Sequence, residues 1–157
     1  MPSDRAEIAW PLQLPPLVFL GPLVGGVLVD LNFPIKLLPV DWPTLVIGLP
    51  FLAAGLVLGS WGFWVLARAG TTVDPRHSTS TIVTAGPFRI TRNPLYLSLA
   101  LAYLGVTIAT NALLPLVLFP CVITVITIGV VGPEERYLER KFPGEFQRYR
   151  GRVRRWG

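Results

Sequence analysis

Long apolar runs separated by short polar stretches dominate this chain. Two uncharged runs, 8–29 and 42–67, occupy its first half, and a third, 93–133, is too long for one helix. A membrane-spanning helix needs about 20 consecutive apolar residues, and Asn111 followed by Pro115 offers a reversal inside the third run. The pattern therefore predicts four spans, at about 13–30, 43–67, 95–110 and 114–131.

Beyond Pro133 the chain becomes polar and basic. Its apolar residues recur there at spacings of three or four, which is typical of an amphipathic helix or helix pair. These residues are Tyr137, Leu138, Phe142, Phe146 and Tyr149. The predicted fold class is all-α: a polytopic membrane protein with about four transmembrane helices and a C-terminal amphipathic cytosolic helix, forming one domain over 1–157.

Composition supports this fold class and limits the kinds of partner that we expect. The chain is 52% hydrophobic and only 15% charged, with a mean hydropathy of +0.55, which excludes an ordinary soluble domain. The net charge of +5 comes from basic residues at the ends of apolar runs. That arrangement indicates anionic lipid headgroups as partners and no nucleic acid. The single cysteine, Cys121, excludes a disulfide framework or a zinc cluster, and we expect it to be buried and inert.

The distribution of positive charge predicts the orientation in the membrane. Twelve of the fourteen Lys and Arg residues lie either between Arg68 and Arg92 or beyond Pro133. By the positive-inside rule, the central loop and the tail are cytoplasmic, and so are both termini. The stretches 80–96 and 132–150 should then meet at one face of the membrane.

Each of these two stretches carries polar residues where the chain enters or leaves the apolar phase. Arg92 and Tyr96 are four residues apart and share one helix face. Glu134 and Glu135 end the last span, and an acid at membrane depth is costly unless it is paired or bound to a cation. A pocket formed by both stretches would open to water on one side and to lipid on the other, which suits one soluble and one lipidic reactant.

Simpler interpretations stay open at this point. Arg89 and Arg92 also fit a pure orientation signal, and the glutamate pair fits the first turn of a tail helix, where acids favour the helix dipole. Gly55 and Gly59 have the spacing of a close helix-packing face, in the same chain or in a homodimer. Lipid anchoring is the expected role of the tail arginines Arg148, Arg150, Arg152, Arg154 and Arg155. A non-catalytic membrane scaffold or transporter subunit would need no site at all.

The stretch TIVTAGPFRITRNPLY, followed later by EERYLERKFPGEFQRY, resembles the isoprenylcysteine carboxyl methyltransferase superfamily, which includes phospholipid N-methyltransferases. The resemblance covers roughly the C-terminal half of the chain. The matching motifs are Ile82-Val83-Thr84, Gly86 with Phe88, Arg92-Asn93-Pro94-Leu95-Tyr96, Glu134-Glu135, and 142–149. It implies a helical membrane enzyme that takes a methyl group from S-adenosylmethionine (SAM) and passes it to a lipophilic acceptor entering from the bilayer.

The resemblance also implies which residues form the site. Arg92, Asn93 and Tyr96 would be catalytic. Contacts to SAM would come from Ser80, Thr81, Ile82, Val83, Gly86, Phe88, Asn93, Pro94, Leu95, Tyr96, Glu134 and Glu135. In this scheme a glutamate neutralises the methionine ammonium, backbone groups near Ile82 hold the adenine, and the aromatic rings of Phe88 and Tyr96 pack on the adenine or face the cationic sulfonium. The sequence has no Cys/His ligand set, and no metal is predicted.

Three departures from the family pattern bear on the chemistry. Asn93 stands where the family has histidine; it keeps a donor and an acceptor but cannot transfer a proton. The segment 129–132 lacks the arginine that holds a substrate carboxylate in the carboxyl-methylating enzymes, which leaves a lipid amine, hydroxyl or thiol open as the acceptor. Phe142-Pro143-Gly144 replaces the family's Phe-Gly and should alter only a turn.

Overall fold

The computed structural model describes residues 15–70 and 82–157, and over these residues the chain is helical with short connections. The helices are α1 (Pro15–Asn32), α2 (Thr44–Arg68), α3 (Pro94–Ala109), α4 (Leu113–Ile126), α5 (Gly132–Lys141) and α6 (Pro143–Arg150). A 3-10 turn, Gly86–Arg89, precedes α3, and a π-helical stretch, Thr127–Val131, joins α4 to α5. The predicted all-α class is confirmed.

Three helical segments are long and apolar enough to cross a membrane: α1, α2 and the continuous segment Leu113–Lys141. The fourth apolar helix, α3, has only 16 residues. At 1.5 Å per residue it is about 24 Å long, which is shorter than a hydrocarbon core of about 30 Å. The chain is therefore an integral membrane protein whose third helix is too short to span the bilayer from edge to edge.

A row of glycines brings α2 into direct backbone contact with α3. A Cβ atom at Gly48 would lie 2.5 Å from the carbonyl oxygen of Gly105, and one at Gly55 would lie 2.7 Å from that of Ser98. A Cβ at Gly59 would also meet the Ser98 side chain, at 2.9 Å. The face that contains Gly55 and Gly59 is therefore used inside the chain. A homodimer, which stays a prediction, would need another surface.

The remaining core lies between α1, α3 and α4. Phe19 and Tyr103 are buried and their rings meet edge to face, while the Tyr103 hydroxyl donates to the carbonyl oxygen of Pro115 over 2.7 Å. Gly26 lets α1 approach the Pro115 ring. The expectation of a buried thiol was wrong, because Cys121 is exposed on the outer surface of α4.

The end of the bundle that includes the α1–α2 loop and the α3–α4 turn is called the distal end here. Asn111 adopts a φ of 54°, and its side chain accepts from the Leu38 amide at 2.7 Å and donates to the Leu38 carbonyl at 3.0 Å. The reversal predicted at Asn111 is thus confirmed. Asp30, only 5% exposed, accepts from the Ile35 amide and pairs with Lys36 at 3.4 Å.

Helical structure continues past Val131, the last residue of the fourth predicted span. Val131 has helical angles (φ −61°, ψ −42°), and the Gly132 amide donates to the Thr127 carbonyl in the π-helical stretch. Helical structure therefore runs unbroken from α4 into α5. The preceding turn is already helical, so no free helix N-terminus lies at Glu134 and Glu135 to attract acids through the helix dipole.

The polar tail forms a pair of helices, one of the two forms predicted for it. Phe142 leaves helical geometry with φ −133°, and Pro143 opens α6 at a position where its missing N–H costs nothing. Phe146 and Tyr149 of the predicted apolar face are buried. The Phe-Pro-Gly departure thus coincides with the turn between the two helices.

Candidate functional site

The loop before α3 folds back against the last turns of α2. Gly86 has a φ of +58°, and a Cβ there would lie 2.8 Å from Val65 and 3.2 Å from the Trp61 indole nitrogen, so both backbone angle and space require glycine. Further along, Leu95 packs on Gly62, six residues before α2 ends at Arg68. Six residues of helix correspond to about 9 Å. The start of α3 is therefore recessed by about that distance from the end of α2.

One contact across the recess joins α3 to α5. The hydroxyl of Tyr96, in the first turn of α3, donates to Oε2 of Glu134 at 3.0 Å. Glu134 is half-buried, and Tyr96 is its only hydrogen-bond partner among the residues that the structure describes. This hydrogen bond leaves acceptor capacity on the carboxylate, since an ionised carboxylate accepts at both oxygens.

A second contact involves the neighbouring acid, Glu135, which is 9% exposed. Its Oε1 lies 3.2 Å from Nη1 of Arg92 and accepts from Nε of Arg155 at 3.1 Å, and its Oε2 accepts from Nη2 of Arg155. The Arg155 contact is a two-pronged guanidinium–carboxylate pair, the strong form of this interaction. Burial lowers the pKa of Arg92, while the hydrogen bond to Glu135 raises the pKa of Arg155. Both groups remain cations at neutral pH.

Arg92 keeps unused donors in a buried position. Its side chain is 9% exposed, and Nε and Nη1 have no hydrogen-bond partner among the described residues. Nη1 is within ion-pair distance of Glu135 but is not aligned for a hydrogen bond. An unsatisfied buried donor costs about 1–3 kcal/mol, so native proteins normally satisfy it with water or a ligand. Arg92 is thus a candidate ligand contact.

Residues 151–157, which we call the C-terminal strap, lie against the loop before α3. The Arg92 amide donates to the Arg154 carbonyl at 3.0 Å. The Arg155 carbonyl accepts from the hydroxyl of Thr91 at 2.7 Å and from Nδ2 of Asn93 at 3.2 Å. Thr91 is fully buried, and Asn93 is nearly so. The amide donor of Asn93 is therefore engaged in holding the strap.

Helix α6 is fastened to the same loop. The hydroxyl of Tyr149 donates to the Phe88 carbonyl at 2.7 Å, and its burial raises the pKa of Tyr149 to about 12. The hydroxyl thus stays protonated and available as a donor at neutral pH. Further along, Trp156 packs against the apolar core between the helices. Loop, helix pair and strap together close one end of the bundle.

The profile of the family described as phospholipid methyltransferase matches residues 43–145, which is 103 of the 157 residues. The chain belongs to the phospholipid methyltransferase family. Comparison with curated proteins and with solved structures gave no significant match. The resemblance inferred from the motifs is confirmed, and the family indicates methyl transfer to a lipid-like substrate.

Most of the predicted site residues of this methyltransferase come together. Tyr96 contacts Glu134 and Arg92 lies within ion-pair distance of Glu135, whereas the side chain of Asn93 contacts the strap at the Arg155 carbonyl. Pro94 and Leu95 form the start of α3 against α2, and Gly86 and Phe88 lie one turn earlier. Ser80 and Thr81 lie outside the described residues.

Ile82 belongs to a cleft that the glutamate pair does not line. Together with Thr84 and Arg89 it lines an open cleft of about 560 Å³ against α6 and the strap. Val83, next to it, is half-buried. The described residues contain no group of three or more His, Cys, Asp or Glu side chains that could hold a metal ion.

Three residues that build the site could not be identified from sequence patterns: Thr91, Tyr149 and Arg155. Tyr149 belonged to a predicted apolar face, but its hydroxyl partner depends on tertiary structure. Arg155 was expected to anchor the tail on lipid headgroups, and for this residue the expectation was wrong because its guanidinium pairs with Glu135. The sequence has no feature that distinguishes Arg155 from the other arginines of the basic tail.

Proposed function

We propose that this chain transfers a methyl group from SAM to a lipophilic acceptor at the cytoplasmic face of the membrane. The observation that supports it best is the meeting of two polar stretches, distant in sequence, through the Tyr96–Glu134 and Arg92–Glu135 contacts. These contacts lie in a recess beside the membrane-spanning helices. A non-catalytic scaffold would have no need for unsatisfied donors or for buried acids at such a position.

Glu134 is the acid that we assign to the ammonium group of SAM. Both oxygens of Glu135 are already held by arginines, whereas Glu134 accepts from the Tyr96 hydroxyl alone among the residues that the structure describes. The free donors of Arg92 suit the carboxylate at the same end of SAM. In this proposal the amino-acid portion of SAM lies between an anion and a cation, and the ring of Tyr96 faces the sulfonium.

SAM supplies an activated methyl group, so the residues need to do little acid–base chemistry. Their work is to align the acceptor with the methyl group and to keep water out, and such positioning can contribute on the order of 7–11 kcal/mol. The shortness of α3 leaves the recess beside apolar helices. A lipidic acceptor can therefore approach laterally while SAM arrives from water.

Two measurements test this proposal. Saturable binding of SAM to detergent-solubilised protein is expected; no binding would favour the scaffold interpretation. Incubation of the protein with methyl-labelled SAM and a lipid extract, followed by mass spectrometry, would identify the acceptor. A base-labile methyl ester would indicate a carboxylate acceptor, and a base-stable product would indicate an amine, a hydroxyl or a thiol.

The cytoplasmic orientation is part of the proposal and has its own test. Single cysteines at Lys36 or Arg154, each in a Cys121→Ala background, would be labelled in sealed cells with a membrane-impermeant maleimide. We expect labelling at position 36 and protection at position 154 until the cells are opened. The reverse result would place the site on the outer face.

A further inference from the structure

The C-terminal strap contacts the site from outside the part of the chain that matches the family. We propose that the strap is a component of the cofactor site and that Arg155 is a positioning residue, which holds Glu135 in place so that Glu134 and Arg92 face the amino-acid end of SAM. This inference rests on the proposed function. It concerns residues 151–157, whereas the family match ends at 145.

Hydrogen bonds to backbone carbonyls of the strap fix its register against the loop. Two consecutive carbonyls of the strap, those of Arg154 and Arg155, accept three hydrogen bonds from Thr91, Arg92 and Asn93. Thr91 in turn accepts from the Asn93 amide at 3.2 Å. Because several donors from three successive loop residues converge on two carbonyls, a shift of the strap by one residue would lose the set.

The side chain of Arg155 then acts on the acid pair. Glu135 is buried between two guanidinium groups, and Arg155 takes both of its oxygens. Without Arg155, the partly satisfied Arg92 would be free to turn its unused donors onto Glu135. Arg92 would then no longer present them to a ligand carboxylate, and the Glu135 carboxylate would compete with Glu134 for the ligand ammonium.

An apolar contact holds the strap beyond the ion pair. Trp156 packs against the core formed by α1, α3 and α4. The side chain of Arg154 is exposed to solvent. Only the backbone carbonyl of this residue contacts the loop. Neighbouring arginines of the same charge therefore have different roles, which makes Arg154 a matched control for Arg155.

The positioning role predicts a selective loss of affinity. Full-length Arg155→Ala, Arg155→Lys and Arg154→Ala proteins would be compared with the unchanged protein for binding of SAM. A second probe would be 5′-methylthioadenosine, which has the adenosine and thioether parts but no amino-acid end. We expect Arg155→Ala to weaken SAM binding by about tenfold or more and binding of the truncated probe by less than about twofold.

The controls sharpen the interpretation. Arg155→Lys should recover part of the SAM affinity, because it keeps the charge but loses the two-pronged contact, and Arg154→Ala should match the unchanged protein. Equal losses for both probes would show that Arg155 only maintains the fold and would overturn the inference. Unchanged SAM affinity in Arg155→Ala would overturn it too, while leaving the proposed function standing.

A measurement without SAM separates this inference from the proposed function. Unfolding of Arg155→Ala, Glu135→Gln and the double variant forms a double-mutant cycle. We expect the effects to be non-additive, because the two side chains contact each other. Additive effects would show that the strap is not engaged and would overturn the inference. Coupling in a protein that fails to bind SAM would instead overturn the proposed function, and the cofactor role of the strap with it.

Discussion

The two ends of the helical bundle both bury an acid, but they treat it differently. At the distal end, Asp30 pairs with Lys36 and caps the Ile35 amide, and the turn at Asn111 is closed by two hydrogen bonds to Leu38. At the other end, two adjacent glutamates face two arginines and a tyrosine, and Arg92 keeps donors without partners. The acid at the distal end is satisfied, whereas at the other end the donors without partners belong to the charged cluster itself; among the described residues, the buried Thr107 hydroxyl near the distal end also lacks a partner.

This difference separates the parts of the molecule that close the fold from the part suited to bind a ligand. A closed polar cluster gains little from a further partner. An open cluster at membrane depth carries the cost of unsatisfied buried groups until something binds. Substitutions at the two ends should therefore change different measurements, which gives a series of tests.

The largest effect is expected for Glu135→Ala. This substitution leaves the buried Arg92 without its counter-charge and should lower the free energy of unfolding by about 3–5 kcal/mol. The distal counterpart, Asp30→Ala, should cost less, because Lys36 is 41% exposed and can turn to water. Equilibrium unfolding in detergent micelles measures both. Equal losses would contradict the distinction between the two ends.

Glu134→Gln should have the largest effect on ligand binding with little effect on folding. Losing a charge-assisted contact worth about 1.5–3 kcal/mol corresponds to roughly ten- to a hundredfold weaker SAM binding. Glu139→Gln, which removes the charge of a half-buried acid on the same helix that pairs with Arg150 at 3.7 Å, is the matched control. Titration calorimetry with both variants decides the assignment, and an unchanged dissociation constant for Glu134→Gln would move the ammonium site elsewhere.

Gly55→Ala tests the contact that sets the depth of α3. The added methyl would meet the Ser98 carbonyl, so overpacking should cost about 1–3 kcal/mol of stability. Gly21→Ala is the control, since no neighbouring atom lies within 4 Å of a Cβ there. In α1 this change should be neutral or stabilising by up to about 1 kcal/mol. Similar losses at both positions would argue against the close α2–α3 packing.

The smallest effect is expected at the distal turn. Asn111→Ala removes two hydrogen bonds and places at a positive φ a residue that tolerates this angle less well than asparagine, at a cost of about 1–2 kcal/mol in stability. Asn111→Gly should restore part of this, because glycine accepts the backbone angle. SAM affinity should be unchanged in both variants. A weakened affinity would show that the two ends are energetically linked.

Sequence patterns predicted the features that depend only on the order of residues along the chain. Spans follow from the length of uncharged runs, the reversal follows from Asn111 and Pro115, and the meeting of the polar stretches follows from an even number of helices between them. Hydropathy carries this information directly. These parts of the fold required no knowledge of which side chain touches which.

The parts that could not be predicted depend on specific contacts in three dimensions. Gly132-Pro133 is a common helix breaker, yet the wider turn of the π-helical stretch lets the helix continue through it. The partner of Glu135 could not be chosen among several tail arginines, because all have the same charge. The exposure of Cys121 depends on which face of α4 lies outward. An almost uniformly apolar helix has no polar face from which that orientation could be predicted.

The π-helical stretch also has a geometrical consequence. A π-turn holds one residue more than an α-turn, so whatever follows is rotated by about 100° around the helix axis relative to an uninterrupted helix. Thr127–Val131 ends immediately before the segment that carries the acids. This rotation lets α4 keep its apolar face against the bundle while α5 directs the carboxylates of Glu134 and Glu135 towards Tyr96 and Arg92.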